Sequence, residues 1–99
     1  MEQIIRVAPE FSDFFFYRTK SGAEADLIIM TPTGKMACIE IKYSVSPSIS
    51  KGFYQSIKDL EPDFTYVITP GGESYTRSDG VRISTLGDFV NRELSEVVK

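Results

Sequence analysis

The sequence predicts an α/β chain of the α+β kind. It should hold a mixed central sheet: an antiparallel three-strand meander, then a βαβ unit, then a C-terminal helix. Three observations predict this. β-prone runs recur at residues 14–19, 24–31 and 35–43 with turn residues between them. Ile49, Phe53, Ile57 and Leu60 repeat at helical spacing and make one apolar face. The unbroken run Phe-Thr-Tyr-Val-Ile-Thr at 64–69 then reads as an interior strand covered on both faces.

Within the first stretch, Ile4, Ile5 and Val7 suit a short strand or a packed arm, with Pro9 interrupting. Phe14, Phe15, Phe16 and Tyr17 make an aromatic strand. Three consecutive phenylalanines cannot all point inward on a one-sided sheet. Some are expected to pack under the N-terminal arm, a helix or another subunit. Lys20-Ser21-Gly22-Ala23 is a turn. In Thr31-Pro32-Thr33-Gly34 the proline and glycine sit where a β-turn uses them, so a hairpin follows. Residues 44–47 read as a loop. Ser46 or Ser48 can cap a helix over about 49–60, which Pro62 stops. Pro70-Gly71-Gly72 breaks the fourth strand, and 81–84 is a short fifth. Thr85 and Asp88 resemble a capping box with Asp in place of Glu or Gln. A last helix then runs over about 86–97, with Leu86, Phe89, Val90, Leu94 and Val97 inward. A third strand, helix and fourth strand in series should pair in parallel through a right-handed crossover.

A chain of 99 residues suits one domain with a real core. No apolar run approaches membrane-spanning length, and no signal peptide is visible at the start, so a cytoplasmic setting with no membrane partner is expected. Cys38 is the single cysteine and reads as a small core residue. With no histidine, a Ser-His-Asp triad, a Cys-His pair and a His/Cys zinc site are all excluded. A neutral-pH general base would have to be an unusual carboxylate, a lysine or a metal-bound water, and oxygen-ligated Mg²⁺ or Mn²⁺ is the favoured route for any chemistry. A net charge of −3 argues against strong, non-specific nucleic-acid binding.

Strand alternation places Glu24, Asp26, Ile28 and Met30 on one face of the second strand. It places Met36, Cys38, Glu40 and Lys42 on one face of the third. If the hairpin closes at Pro32-Thr33, the four charged residues meet at its far end. Carboxylates on adjacent strands repel unless a positive charge lies between them. Lys42 supplies one. A divalent cation bridging Asp26 and Glu40, with the main-chain carbonyl of Ile41 as a further ligand, would supply two more. Lys42 would then stand beside the metal-bound water. The alternative from spacing alone is a cross-strand ion-pair cluster at a solvated sheet end. For Glu24 the plainer reading is an exposed partner for Arg18 or Lys20, and for Gln55 a solvent-facing helix residue.

Asp26, then thirteen residues, then Glu40-Ile41-Lys42 resembles the signature of the PD-(D/E)XK nuclease superfamily with its restriction-endonuclease-like fold. More narrowly, Arg18, Thr19, Gly22, Glu24 and Asp26 followed by Ile39, Glu40 and Lys42 look like the uncharacterised C-terminal domain of many prokaryotic AAA-type ATPases. The resemblance covers about residues 14–93. It implies metal-dependent phosphodiester hydrolysis, with DNA as a partner. Asp26 and Glu40 would be metal ligands, Lys42 the catalytic lysine, and Glu24 and Gln55 auxiliary. Ala25 stands where the signature has proline. Residues 1–13 do not read as the glutamate-bearing helix usual in relatives, so the chain reads as a fragment or shortened domain. The alternative expectation is a non-catalytic interaction or accessory module that keeps the nuclease fold. It would act as a homodimer or beside an upstream ATPase module, since no P-loop occurs here.

Overall fold

A computed structural model describes residues 13–43 and 48–93. Strands β1 (Asp13–Arg18), β2 (Glu24–Met30) and β3 (Met36–Ile41) lead to helix α1 (Lys51–Leu60). Then come β4 (Phe64–Thr69), β5 (Tyr75–Thr76), β6 (Arg82–Thr85) and the short helix α2 (Leu86–Asp88), which continues as a π-helical turn over Phe89–Glu93. The expectations at Ile4, Ile5, Val7, Pro9, Ser46, Leu94 and Val97 lie outside the described residues.

The six strands form one sheet in the order β1-β2-β3-β4-β6-β5. β1, β2 and β3 are antiparallel. β4 lies parallel to both β3 and β6, and β5 returns antiparallel on β6. The meander and the βαβ unit are therefore present as the sequence predicts. The two-residue β5 is an addition. Its Tyr75 and Thr76 are too short a stretch to carry an alternation signal, and they pair only because β6 offers a free edge.

The sheet is covered on both faces. On one, Leu27, Ile29, Ala37, Ile39, Tyr66 and Ile68 pack beneath Phe89. Tyr66 and Phe89 meet edge to face, with ring centroids 5.0 Å apart. On the other, Ala25, Ile28, Cys38, Val67, Val81 and Ile83 pack beneath Phe53 of α1, joined by Ile49, Ile57 and Leu60. The apolar stripe read from the sequence is thus the buried face of α1. β4 contributes to both layers, as its continuous β-prone run implies.

Turn and cap chemistry explains the element ends. Thr31 accepts from Gly34 N and donates to Lys35 O, closing the β2–β3 hairpin, and Gly34 sits at φ +87°. α1 begins two residues later than expected, at Lys51. Its cap is Ser50, not Ser48, with Ser50 Oγ accepting from Phe53 N at 3.1 Å. Glu61 closes it in the left-handed region at φ 47°, and Pro62 follows. At α2, Thr85 Oγ1 accepts from Asp88 N at 3.1 Å, but Asp88 does not return the bond directly. Its side chain is one methylene shorter than Glu. Ser74 bridges instead, donating to Asp88 Oδ2 while accepting from Thr85 N. Of the regular last helix expected over 86–97, the described residues 86–93 are instead three α-helical residues and a π-helical turn.

Candidate functional site

The charged end of the hairpin is shaped by an irregularity in β2. Phe15 pairs with Ile28, but Tyr17 pairs with Ala25. Phe16 of β1 thus opposes both Leu27 and Asp26 of β2, a β-bulge. The extra residue breaks the simple alternation. Ala25 joins Ile28 and Cys38 in the core beneath α1, instead of sharing Leu27's face. β2 also stops pairing with β3 after Leu27–Ile39. Beyond that point Asp26 spans the gap: its Oδ2 accepts a hydrogen bond from Ile41 N at 2.7 Å. The carboxylate holds the place in the ladder that a β2 carbonyl would otherwise take.

Glu40 is engaged on the α1 side. Its carboxylate is almost fully buried. Oε1 lies 3.3 Å from Lys42 Nζ, and Oε2 accepts from Ser50 N at 3.4 Å, just before α1. A buried carboxylate needs such partners, because an unpaired charge out of water is costly. Lys42 is itself largely covered, and its own N–H continues the parallel ladder to Ile68 O at 2.8 Å. Asp26 and Glu40 are therefore each bound to different protein groups.

Glu24 is paired with Arg18 at 3.5 Å in an exposed ion pair. Gln55, on the exposed surface of the helix, donates to Asp59 at 2.9 Å. Asp59 also accepts from Tyr17 Oη, and partial burial together with that carboxylate pushes the Tyr17 phenol above its ordinary pKa. Cys38 is fully buried, and the loss of solvation pushes its thiol up to about 11.

An open cleft of about 540 Å³ lies where β2 leaves β3, lined by Phe16, Arg18, Glu24, Asp26, Ile41 and Tyr43 among others. The donor set around it does not fit a divalent ion as folded. One Asp26 oxygen is held by Ile41 N, and both Glu40 oxygens are held by Lys42 and Ser50. Among the described residues, no group of three or more His, Cys, Asp or Glu comes together to hold a metal.

A second polar cluster joins α1 to the β5–β6 turn. Tyr54 Oη donates to Asp79 Oδ2 at 2.8 Å, and Arg77 approaches Asp79 at 3.4 Å. The Tyr54 hydroxyl bond, then that of Val81 N–H, holds the Asp79 carboxyl below its ordinary range. The same bond raises the Tyr54 phenol.

Sequence reasoning missed Ser50 as a partner of Glu40. It also missed Gly52, where a Cβ would stand 2.6 Å from the Gly22 carbonyl oxygen. A glycine inside an amphipathic helix is the signal for such a close approach. Among the described residues, no helix is long and apolar enough to cross a membrane.

Residues 1–89 match the model of a family described as a domain of unknown function (DUF4143), and the chain belongs to that family. Searches of curated proteins and of solved structures gave no match.

Proposed function

We propose that this DUF4143 domain is a non-catalytic interaction or accessory module, in which the nuclease-like residues serve as a polar brace. One observation carries the reading. Asp26, Glu40 and Lys42 already bind protein groups: Asp26 Oδ2 the Ile41 amide, and Glu40 both Lys42 and the Ser50 amide. The brace ties β2, β3 and the start of α1 together at the sheet end where ladder pairing stops. Domains of this family are often found in proteins associated with AAA ATPases, which suits an accessory role.

A second reading is metal-dependent phosphodiester hydrolysis. Mg²⁺ or Mn²⁺ would sit on Asp26, Glu40 and the Ile41 carbonyl, with Lys42 as the catalytic lysine and DNA as substrate. It is favoured by the shared cleft of Glu24, Asp26 and Ile41. In an extended strand the Ile41 carbonyl also points the same way as its N–H, toward Asp26. This reading requires Glu40 to exchange its present partners for a metal ion.

The two separate on incubation with single- and double-stranded DNA and Mn²⁺ or Mg²⁺. The brace reading expects no cleavage by the purified chain. Cleavage that disappears in both Asp26→Ala and Lys42→Ala would overturn it.

A further inference from the structure

We infer that the cleft beside β1 receives an arginine side chain of a partner polypeptide. The inference rests on the interaction-module reading and names the partner chemistry of the same site. The cleft combines two features that one ligand group can satisfy together. Phe16 is 75% exposed and Tyr43 is 94% exposed, so two aromatic side chains stand open at its walls. Glu24 and Asp26, both exposed carboxylates, line the same cleft. A planar guanidinium stacks on aromatic faces and forks onto carboxylate oxygens, which an ammonium does less well. A phosphate entering the same cleft would meet two negative charges.

The protein carries a small version of this chemistry at the rim, where Arg18 Nε lies 3.5 Å from Glu24 Oε2. That pair is solvent-exposed and holds weakly, so an incoming cation can compete for Glu24. Asp26 binds Ile41 N through Oδ2. Its Oδ1 has no protein partner among the described residues.

The position of the cleft identifies a polypeptide as the source. It abuts β1, the terminal strand of the sheet among the described residues. An edge strand offers an unpaired row of backbone donors and acceptors, on which an extended segment can add as a further strand. Phe16 and Arg18 belong to that strand, so a segment laid along β1 brings its side chains to the cleft mouth.

The test is an NMR titration of the ¹⁵N-labelled 99-residue chain with N-acetyl-arginine amide, with the citrulline amide as a neutral isostere. Arginine should give saturable shifts at the amides of Phe16, Asp26, Ile41 and Tyr43, with an affinity in the millimolar range expected of one side chain, roughly 1 mM or weaker. Citrulline should not. Asp26→Asn removes the charge but keeps an oxygen for Ile41 N, and should weaken arginine binding by about tenfold. Phe16→Ala, at an exposed position, should weaken it by about threefold or more and serves if the first variant folds poorly. No saturable shift, equal shifts from citrulline, or undiminished affinity in the folded variants would overturn the inference.

Mn²⁺ added to the same sample keeps the two proposals apart. If arginine and Mn²⁺ both fail to bind, only the arginine site is overturned. If Mn²⁺ binds at Asp26 and DNA is cleaved, the module reading falls, and the arginine inference falls with it.

Discussion

Asp26 Oδ2 lies 2.7 Å from the Ile41 amide nitrogen, across the point where β2 and β3 cease to pair. A side chain there completes a ladder that the β2 bulge interrupts. Its first consequence is for stability. Asp26→Ala leaves the Ile41 N–H without its charged acceptor and should cost about 1 kcal/mol, discounted for an exposed carboxylate. Asp26→Asn keeps an acceptor oxygen and should cost clearly less. Urea unfolding of the three proteins checks the order. Equal losses would contradict the brace.

The Glu40–Lys42 pair should show the asymmetry of its burial. The Glu40 side chain is 10% exposed and that of Lys42 is 23% exposed. Lys42→Met strands the more buried charge and should destabilise by roughly 2–3 kcal/mol. Glu40→Gln keeps an acceptor for Ser50 N and should cost roughly 1 kcal/mol. A site of carboxylates held against one another for a metal would behave oppositely, since losing one charge would relieve repulsion. Stabilisation by Glu40→Gln in urea melts would therefore count against the brace.

Gly52 and Gly87 both lie in helices, yet they should respond in opposite directions to alanine. At Gly52 a Cβ meets the Gly22 carbonyl oxygen at 2.6 Å, and backbone on both sides must shift. A loss of about 1–3 kcal/mol is expected despite alanine's better helix propensity. At Gly87 a Cβ meets nothing within 4 Å. A gain of about 0.5–1 kcal/mol is expected there. Thermal melts of the two variants give the comparison.

The Tyr54–Asp79 bond should make stability depend on acid pH. The Asp79 carboxyl is held below its ordinary value of 3.8, first by the Tyr54 hydroxyl. A depressed carboxyl contributes stability that is present above its unfolded value and is lost as pH falls through the folded one. The stability gap between the natural chain and Tyr54→Phe should thus be open at neutral pH and should narrow as pH falls below the ordinary value of 3.8. A gap that does not change with pH would show that the bond does not hold the ionised carboxylate.

The periodic parts of the fold were legible in the sequence. The stripe of Ile49, Phe53, Ile57 and Leu60 identified the buried face of α1, and the run at Phe64–Thr69 identified a strand between two layers. Two kinds of feature were not legible. The bulge in β2 leaves no compositional mark, so strict alternation put Ala25 beside Leu27 instead of Ile28. Contacts between a side chain and a distant backbone amide, such as Asp26 to Ile41 and Glu40 to Ser50, have no spacing rule to announce them. The identity of the candidate residues was therefore readable, but their partners were not. Those partners decide whether the carboxylates are free to bind a cation.

That freedom is measured most directly by calorimetric titration of Mn²⁺ into the natural chain and into Asp26→Asn. With Asp26 and Glu40 held by the Ile41 amide, Lys42 and the Ser50 amide, neither protein should show a saturable binding heat. Saturable binding by the natural chain that is lost in Asp26→Asn would contradict the brace and favour the metal-dependent reading.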